Sequence, residues 1–150
     1  MQDVKVKRFW GDSVNGCRIS ISLPEVQIQT GQPVELSIVL ANIGSAVIHS
    51  PRTSNWFDFE VSILAPDGKA VPMTEFGAKL HGNLQEQGGT LLDLKPGDEL
   101  TSSVEVSRLY GVAQPGVYSI TVSKMLMNPA GEYFRVVSNR VSIAVKEGKR

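Results

Sequence analysis

The stretch QPGVYSITVSKMLMNPAGEYFRVVSN, from Gln114 to Asn139, decides how this sequence folds. Within it, Tyr118, Ile120 and Val122 alternate with small polar residues, and Pro115–Gly116 stands shortly before them. Alternation of β-branched or aromatic residues with polar ones is typical of a strand with one buried face. Proline followed by glycine favours a turn. The stretch therefore predicts a turn and then a strand whose inner face begins at Tyr118.

The same two-residue period runs through most of the chain. It recurs in CRISISL (17–23), PVELSIVLAN (33–42), FDFEVSI (57–63), LTSSVEV (100–106) and VSIAV (141–145). Turn sequences separate these segments, namely TGQP (30–33), NIGS (42–45), PDGK (66–69) and KPGD (95–98). No segment of ten or more residues has a convincing helical period. We therefore expect an all-β fold, an antiparallel β-sandwich of seven to nine strands.

The length of 150 residues suits one domain, which we place at residues 1–150, with a core at about 16–146 and frayed termini. Two segments lack a clear period. The segment 72–89 has the pattern of a long loop with at most one short element, and the segment 50–56 that of a crossover. A break in the alternation at Val136–Val137 indicates a bulge or bend.

The charges of the chain narrow the classes of partner. Fifteen basic and fifteen acidic residues cancel, and no basic stripe suited to nucleic acid is present. No apolar run reaches about 18 residues, so we expect no membrane insertion.

Cys17 is the only cysteine, and the N-terminus lacks the apolar middle of a signal peptide. A lone cysteine suits a reducing compartment, but many exported bacterial domains also lack disulfides, so these features leave the location open; we favour an extracytoplasmic or envelope-associated one, with a cytoplasmic one as the alternative.

Residues of the types that catalyse reactions or bind metals form no recognisable constellation. His49 and His81 lack a metal-type spacing, and Cys17 falls at an inward strand position, where we expect it to pack in the core. Asp58 and Glu60 share one strand face at a spacing open to an acid–base pair, but we favour outward acids that keep the sheet soluble. We therefore expect no catalytic activity, no cofactor and no metal.

Consecutive apolar residues in the second half of the quoted stretch are the strongest candidate for a binding surface. Three large apolar residues in a row cannot all face one core from a strand, so at least one should point outward. The alternatives are that this hairpin buries its own apolar residues, or that it forms a contact between two copies of the chain. The candidate partner-binding residues are Met125, Leu126, Met127, Asn128, Tyr133 and Phe134, with Trp56 at the crossover as a further candidate.

Four motifs carry a resemblance to a known family: VELSIVLANIGSAVI (34–48), FDFEVSILAPDGKAV (57–71), LDLKPGDEL (92–100) and PGVYSITV (115–122). In this order they resemble bacterial immunoglobulin-like or fibronectin-like sandwich domains. Within that class the chain is similar to the bacterial intracellular proteinase-inhibitor domain. The resemblance covers roughly residues 33–122 and implies an immunoglobulin-like β-sandwich.

Function on such scaffolds resides in grafted sites rather than in the fold. We expect a non-catalytic binding or structural module that presents loops for protein–protein interaction, with another protein or the same chain as partner. The segments 42–45, 95–98 and 125–134 should then cluster at one end of the sandwich. The alternative function is a proteinase inhibitor with an exposed loop, for which Arg52, Lys79 and Lys124 are the candidate primary contacts.

The position of Tyr118 at the start of its strand suits a tyrosine corner, in which the hydroxyl bonds to an upstream backbone group. Tyr118→Phe should lower the free energy of unfolding by about 1 kcal/mol, because one buried hydrogen bond is lost while the ring is kept. Urea denaturation of both proteins measures this difference, and equal midpoints would contradict the corner.

Overall fold

The computed structural model describes residues 8–52, 58–84, 90–112 and 114–147. Neither helix in these residues is long and apolar enough to cross a membrane. The elements are β1 (Cys17–Ser22), β2 (Gln27–Gln29), β3 (Glu35–Asn42), β4 (Ile48–Arg52), β5 (Glu60–Leu64), α1 (Glu75–Leu84), β6 (Thr90–Leu94), β7 (Glu99–Glu105), α2 (Val106–Leu109), β8 (Gly116–Met127), β9 (Tyr133–Val137) and β10 (Val141–Lys146).

The strands form two sheets that enclose one hydrophobic core. The smaller sheet has the order β1-β3-β7, and both of its pairs are antiparallel. The larger sheet is built around β8, which pairs antiparallel with β10, β5 and β9 and meets β4 at Met127. At the two ends of this sheet, β2 lies parallel to β10 and β6 pairs antiparallel with β4. Inward residues of both sheets, such as Ile38 and Ile120, make up the core.

The all-β sandwich predicted from the alternation is confirmed, but it has ten strands in the described residues rather than seven to nine, and the pair β2–β10 is parallel rather than antiparallel. The additional strands arise from interruptions within longer segments. The chain leaves the smaller sheet after Ser22 and joins the larger one at Gln27–Gln29, which creates β2. The last strand segment of the chain, which pairs with β8, is interrupted directly after Val137, and this interruption separates β9 from β10.

Ser138 and Asn139 stabilise this break by replacing strand hydrogen bonds. The Ser138 N–H donates to the Val122 carbonyl at 2.7 Å, and the Ser138 hydroxyl accepts from the Val122 N–H at 2.8 Å. The Asn139 amide accepts from the Ile21 N–H at 2.8 Å and donates to the Ile21 carbonyl at 3.1 Å. Because Ile21 lies on β1, an edge of the smaller sheet, the Asn139 side chain connects the two sheets at this edge.

The segment 72–89 contains a helix that the sequence analysis missed. Before α1, Thr74 acts as an N-cap, because its hydroxyl oxygen accepts from the Gly77 N–H at 3.0 Å. Glycine weakens a helical pattern, which obscured this helix in the sequence. A Cβ at Gly77 would lie 2.4 Å from the Leu109 carbonyl oxygen. The glycine is therefore what lets α1 pack closely on the end of α2.

Asn42 is buried at the end of β3 with its polar groups hydrogen-bonded. Its side-chain NH₂ donates to the Ala46 carbonyl at 2.8 Å and to the Leu94 carbonyl at 2.9 Å, and its Oδ1 accepts from the Gly44 N–H at 3.0 Å. Its backbone N–H and carbonyl bond to the turn at 95–98. These contacts join the smaller sheet, the end of β6 in the larger sheet and the turn that connects them.

Tyr118 and Cys17, the two residues predicted to be structural, both lie in the core. The Tyr118 hydroxyl donates to the Gln114 carbonyl at 2.8 Å and accepts from the Gln114 N–H at 3.2 Å, which is the bonding of a tyrosine corner. Burial raises the pKa of the Cys17 thiol to about 11. The thiol is therefore protonated at neutral pH and packs as a small apolar group.

Asn42→Ala should lower the free energy of unfolding by about 2–3 kcal/mol, because the buried Leu94 carbonyl and two part-buried backbone groups of the loop after β3 lose their partner. The matched control is Asn128→Ala, whose side chain accepts one hydrogen bond from Glu132 in an exposed turn and should cost less than about 1 kcal/mol. Urea denaturation of both variants measures the difference. Equal losses of stability in the two variants would show that the hydrogen bonds of Asn42 do not hold the two sheets together.

Candidate functional site

The candidate site lies on the outer surface of the larger sheet, where β5, β8 and β9 lie side by side. The strand register places Glu60 opposite Ser123 and Met125 opposite Arg135. Successive side chains of a strand alternate between its faces, so these residues all point away from the core. We call this surface the β5–β8–β9 face; its outward residues are Glu60, Ser62, Thr121, Ser123, Met125, Met127, Tyr133, Arg135 and Val137.

A charged pair lies at the centre of this face. The Arg135 guanidinium donates to the Glu60 carboxylate, and to the Ser123 hydroxyl oxygen at 2.8 Å. The Ser123 hydroxyl in turn donates to Glu60 at 3.2 Å. The hydrogen bond from Arg135 holds the pKa of Glu60 below its ordinary value, and partial burial offsets this only in part. Glu60 is therefore ionised at neutral pH within a closed network of three side chains.

Two adjoining cavities of about 570 and 360 Å³ open beside the charged pair. Glu60, Arg135 and Tyr110 line both of them, and the larger one extends over Met73 and Met125. A backbone bridge between Met73 and Tyr110 positions the tyrosine. Burial, together with the negative charge of Glu60, raises the pKa of Tyr110. The face therefore carries a depression with a charged floor and partly apolar walls.

Three apolar side chains around the charged pair remain exposed. Tyr133 is 63% exposed, Val137 is 45% exposed and Met125 is 40% exposed. Outward strand positions on a sheet that meets only water are usually polar. Tyrosine, methionine and arginine are also the residues that interfaces between proteins concentrate. The composition of the β5–β8–β9 face therefore departs from that of an ordinary solvated sheet.

The candidate segment 125–134 is a β-hairpin rather than a projecting loop, because β8 extends to Met127 and β9 begins at Tyr133. Leu126 is fully buried, which corrects its assignment as a partner-binding residue. Phe134 faces Leu126 across the strand pair and packs, partly buried, against the core. Met125 points outward, as expected for at least one residue of the apolar run.

Asn128 organises the turn of this hairpin. Its Oδ1 accepts from the Glu132 N–H at 2.9 Å, and its carbonyl accepts from the Gly131 N–H at 3.0 Å. Gly131 has a φ of +84°, the left-handed conformation that closes a hairpin of this length. Asn128 is therefore a structural residue of the turn.

The three connections predicted to lie at one end of the sandwich are found together. Hydrogen bonds of Asn42 hold the segment 42–45 against the turn at 95–98. Gly44 and Asn128 line a common cavity of about 360 Å³. The residues that line this cavity carry no charge. The cavity at this end therefore lacks a charged pair such as the one beside the cavities of the β5–β8–β9 face.

A buried ion pair lies beneath the β5–β8–β9 face. The Lys124 ammonium is 3.5 Å from the Asp58 carboxylate, and their side chains are 5% and 3% exposed. Lys124 also donates to the backbone carbonyls of Pro51 and Asp58, both at 2.6 Å. These carbonyls lie near the end of β4 and just before β5, two strands that follow one another along the same edge of β8. Lys124 therefore bonds the backbone at the gap between them.

The buried pair corrects two predictions. Asp58 was expected to point outward with Glu60, but β5 begins only at Glu60, so the strand alternation does not extend to Asp58. Lys124 was a candidate contact for a protease, but its ammonium is enclosed by Asp58 and the ends of two strands. It is not available to enter a protease cleft.

Of the remaining candidates, His49 lies at the margin of this face, opposite Met127 of β8, and the others lie on α1 or outside the described residues. Trp56 and the side chain of Arg52 lie outside them. Lys79 is on α1 and pairs at 3.3 Å with an acidic residue one turn earlier. His49 Nδ1 is 2.8 Å from the Asp93 carboxylate. In the part of the chain that the structure describes, no cluster of three His, Cys, Asp or Glu side chains could hold a metal ion.

Sequence reasoning missed Arg135 and Tyr110. Arg135 has a weak signal, a charge at an outward position of an apolar strand, but its contact with Glu60 depends on β8 lying between β5 and β9. Tyr110 has no signal in the sequence, because it reaches the cavity through the bridge to Met73 beside α2. Neither contact follows from spacing along the chain.

No protein-family model matches the sequence, and no curated protein matches it either. Solved structures do match the fold. The C-terminal domain of wzt is 13% identical, with 97% of this chain and 81% of that chain covered at a TM-score of 0.53. The structural-genomics target SoR45 is 15% identical, with 89% and 90% covered at a TM-score of 0.51. At these identities the likeness shows the fold alone.

A third structure is the CARDB domain of the PF1109 protein from Pyrococcus furiosus, solved in complex with di-metal ions. It is 12% identical, and the match covers 91% of this chain and 100% of that chain. Its TM-score of 0.42 is too low to carry an argument. Neither the wzt domain nor SoR45 is described as a proteinase inhibitor, so that resemblance gains no support from them.

Lys124→Met should lower the free energy of unfolding by about 3–5 kcal/mol, because the buried Asp58 carboxylate loses its cation. Adding Asp58→Leu to that variant should recover part of the loss, since no uncompensated charge then remains. Lys79→Met removes an exposed pair and should change stability by less than about 0.5 kcal/mol. Chemical denaturation of the three variants measures these differences. A double variant less stable than Lys124→Met would contradict the coupling.

Proposed function

We propose that this protein is a non-catalytic binding module whose β5–β8–β9 face docks a protein partner. The observation that carries the proposal is the exposure of Tyr133, Val137 and Met125 around the Glu60–Arg135 pair. Aromatic and arginine side chains contribute most to binding when apolar neighbours exclude water around them. The face combines these groups within a few strand positions.

The backbone that carries these side chains supports the proposal. β8 is hydrogen-bonded along both edges, by β9 and β10 on one edge and by β5 and β4 on the other. A surface that is ordered before binding loses little conformational entropy on association. The binding groups in this proposal are therefore on paired strands, rather than on the loops expected from the sequence.

The lack of catalytic activity is also part of the proposal, and two groups support it. The hydrogen bond from Arg135 lowers the pKa of Glu60, which makes its carboxylate a weaker base than that of an ordinary glutamate. The pKa of Tyr110 lies above its ordinary value, so its hydroxyl stays protonated. Both groups suit hydrogen bonding and charge pairing with a partner.

Combining Met125→Ser with Tyr133→Ser should abolish partner binding and leave the melting temperature within a few degrees, because both side chains are exposed. The matched control is Leu126→Ser in the same strand, which should lower the free energy of unfolding by about 3 kcal/mol or more. Thermal unfolding of the double variant and of Leu126→Ser distinguishes exposed binding residues from buried core residues. A collapse of the double variant would show that these residues are core rather than binding surface.

A photoreactive amino acid at position 133 tests binding in cells that make the protein. We expect light-dependent protein adducts that Met125→Ser weakens. The control places the same group at position 101, where Thr101 is exposed on β7 in the other sheet. Equal labelling from positions 133 and 101 would contradict a binding role for this face.

A further inference from the structure

We infer that the partner docked on the β5–β8–β9 face is a second copy of this chain, related to the first by a two-fold axis. This inference rests on the proposed function, because it names the partner of the same surface. Three properties of the face point to it: self-complementary charges, a protruding side chain beside a cavity, and an area suited to a small dimer interface.

The charges on the face are self-complementary. In a two-fold interface, if residue i of one copy contacts residue j of the other, then j also contacts i. An axis that passes near Ser123 brings Arg135 of each copy to Glu60 of the other. The side chains of Arg135 and Glu60 are 50% and 68% exposed, so each has room for a second contact. A guanidinium has five donors and a carboxylate about four acceptor sites, so the pair within each copy is kept.

The shape of the face is self-complementary as well. Tyr133 projects from β9 and lies two residues from Arg135, about 7 Å along the strand. The cavity of about 360 Å³ lies on the opposite side of β8, along β5, and has apolar walls at Ala70 and Val71. The same rotation that exchanges the charges brings Tyr133 of one copy towards the cavity of the other. A tyrosine fits such a cavity because its body is apolar and its tip is polar.

Charge balance and area support self-association. Fifteen basic and fifteen acidic residues leave no net charge to hold two copies apart. As a flat area, β5, β9, the part of β8 that pairs with them and the segment 70–73 cover about 400 Å², to which the protruding side chains add. Interfaces of standard size bury about 800 Å² per partner. The face therefore suits a reversible dimer of moderate affinity rather than a permanent one.

Sedimentation velocity over a concentration series from about 1 µM to about 1 mM tests the inference on the whole chain. The mean mass should rise with concentration from 16.3 kDa towards twice that value. Glu60→Arg alone and Arg135→Glu alone should each weaken self-association at least about tenfold, because like charges then meet across the axis. A wild-type protein that stays monomeric throughout the series overturns the inference.

Mixing the two charge variants distinguishes a contact across the axis from the pair within one chain. A one-to-one mixture of Glu60→Arg and Arg135→Glu should dimerise within about threefold of wild type, because each copy then supplies the charge that the other lacks. The control is Glu99→Arg, which reverses one charge of the exposed Arg8–Glu99 pair and should leave self-association unchanged. Folding of every variant is checked by thermal unfolding. A mixture that remains monomeric while both variants are folded contradicts the inference.

The photoreactive group at position 133 separates failure of this inference from failure of the proposed function. Adducts between two copies of the chain support both. If the adducts contain only other proteins, the result still supports the binding face but refutes a second copy as its partner. Labelling no greater than from position 101 contradicts both proposals.

Discussion

The sandwich depends on the burial of one amide, that of Asn42, at the end of β3. An unpaired amide in a core is costly, so this side chain is tolerated only when each of its groups is bonded. Its three side-chain bonds reach the loop after β3 and the last residue of β6, and its backbone bonds the turn at 95–98. Two sheets and the connection between them thus meet at one residue. Asn139 has a comparable role on the side of the sandwich, where its amide bonds the edge of β1.

The outer face of the larger sheet follows from the length of β8. A strand of 12 residues is long enough for two shorter strands to pair in series along each edge. This arrangement leaves a gap between β4 and β5, which Lys124 bridges from the core side. On the outer side the same arrangement brings Glu60 of β5 within reach of Arg135 of β9. The buried Lys124–Asp58 pair and the exposed Glu60–Arg135 pair therefore both follow from the pairing of two shorter strands in series along each edge of β8.

Alternation predicted most strands, because burial of one face imposes a two-residue period on the residues of that strand. It failed where another constraint was stronger. At Gly77 close packing requires a helix-weakening residue, which hid α1. Asp58 lies just before β5 begins, and its charge is compensated by a lysine 66 residues further along the chain. The apolar run at Met125–Met127 was recognised as unusual, but which of its residues faces outward depended on the register of β8.

By itself, the sequence determined the all-β class, the inward residues of most strands, the tyrosine corner at Tyr118 and the turns that separate the strands. These features are local, since each follows from the side-chain period or from the backbone preferences of a few adjacent residues. The tertiary structure alone decided that Glu60 meets Arg135, that Lys124 is buried against Asp58, and that Tyr110 lines the cavity beside them. Such contacts join residues far apart in the chain, and strand order and register set them; neither property leaves a mark in the spacing of residues along the sequence.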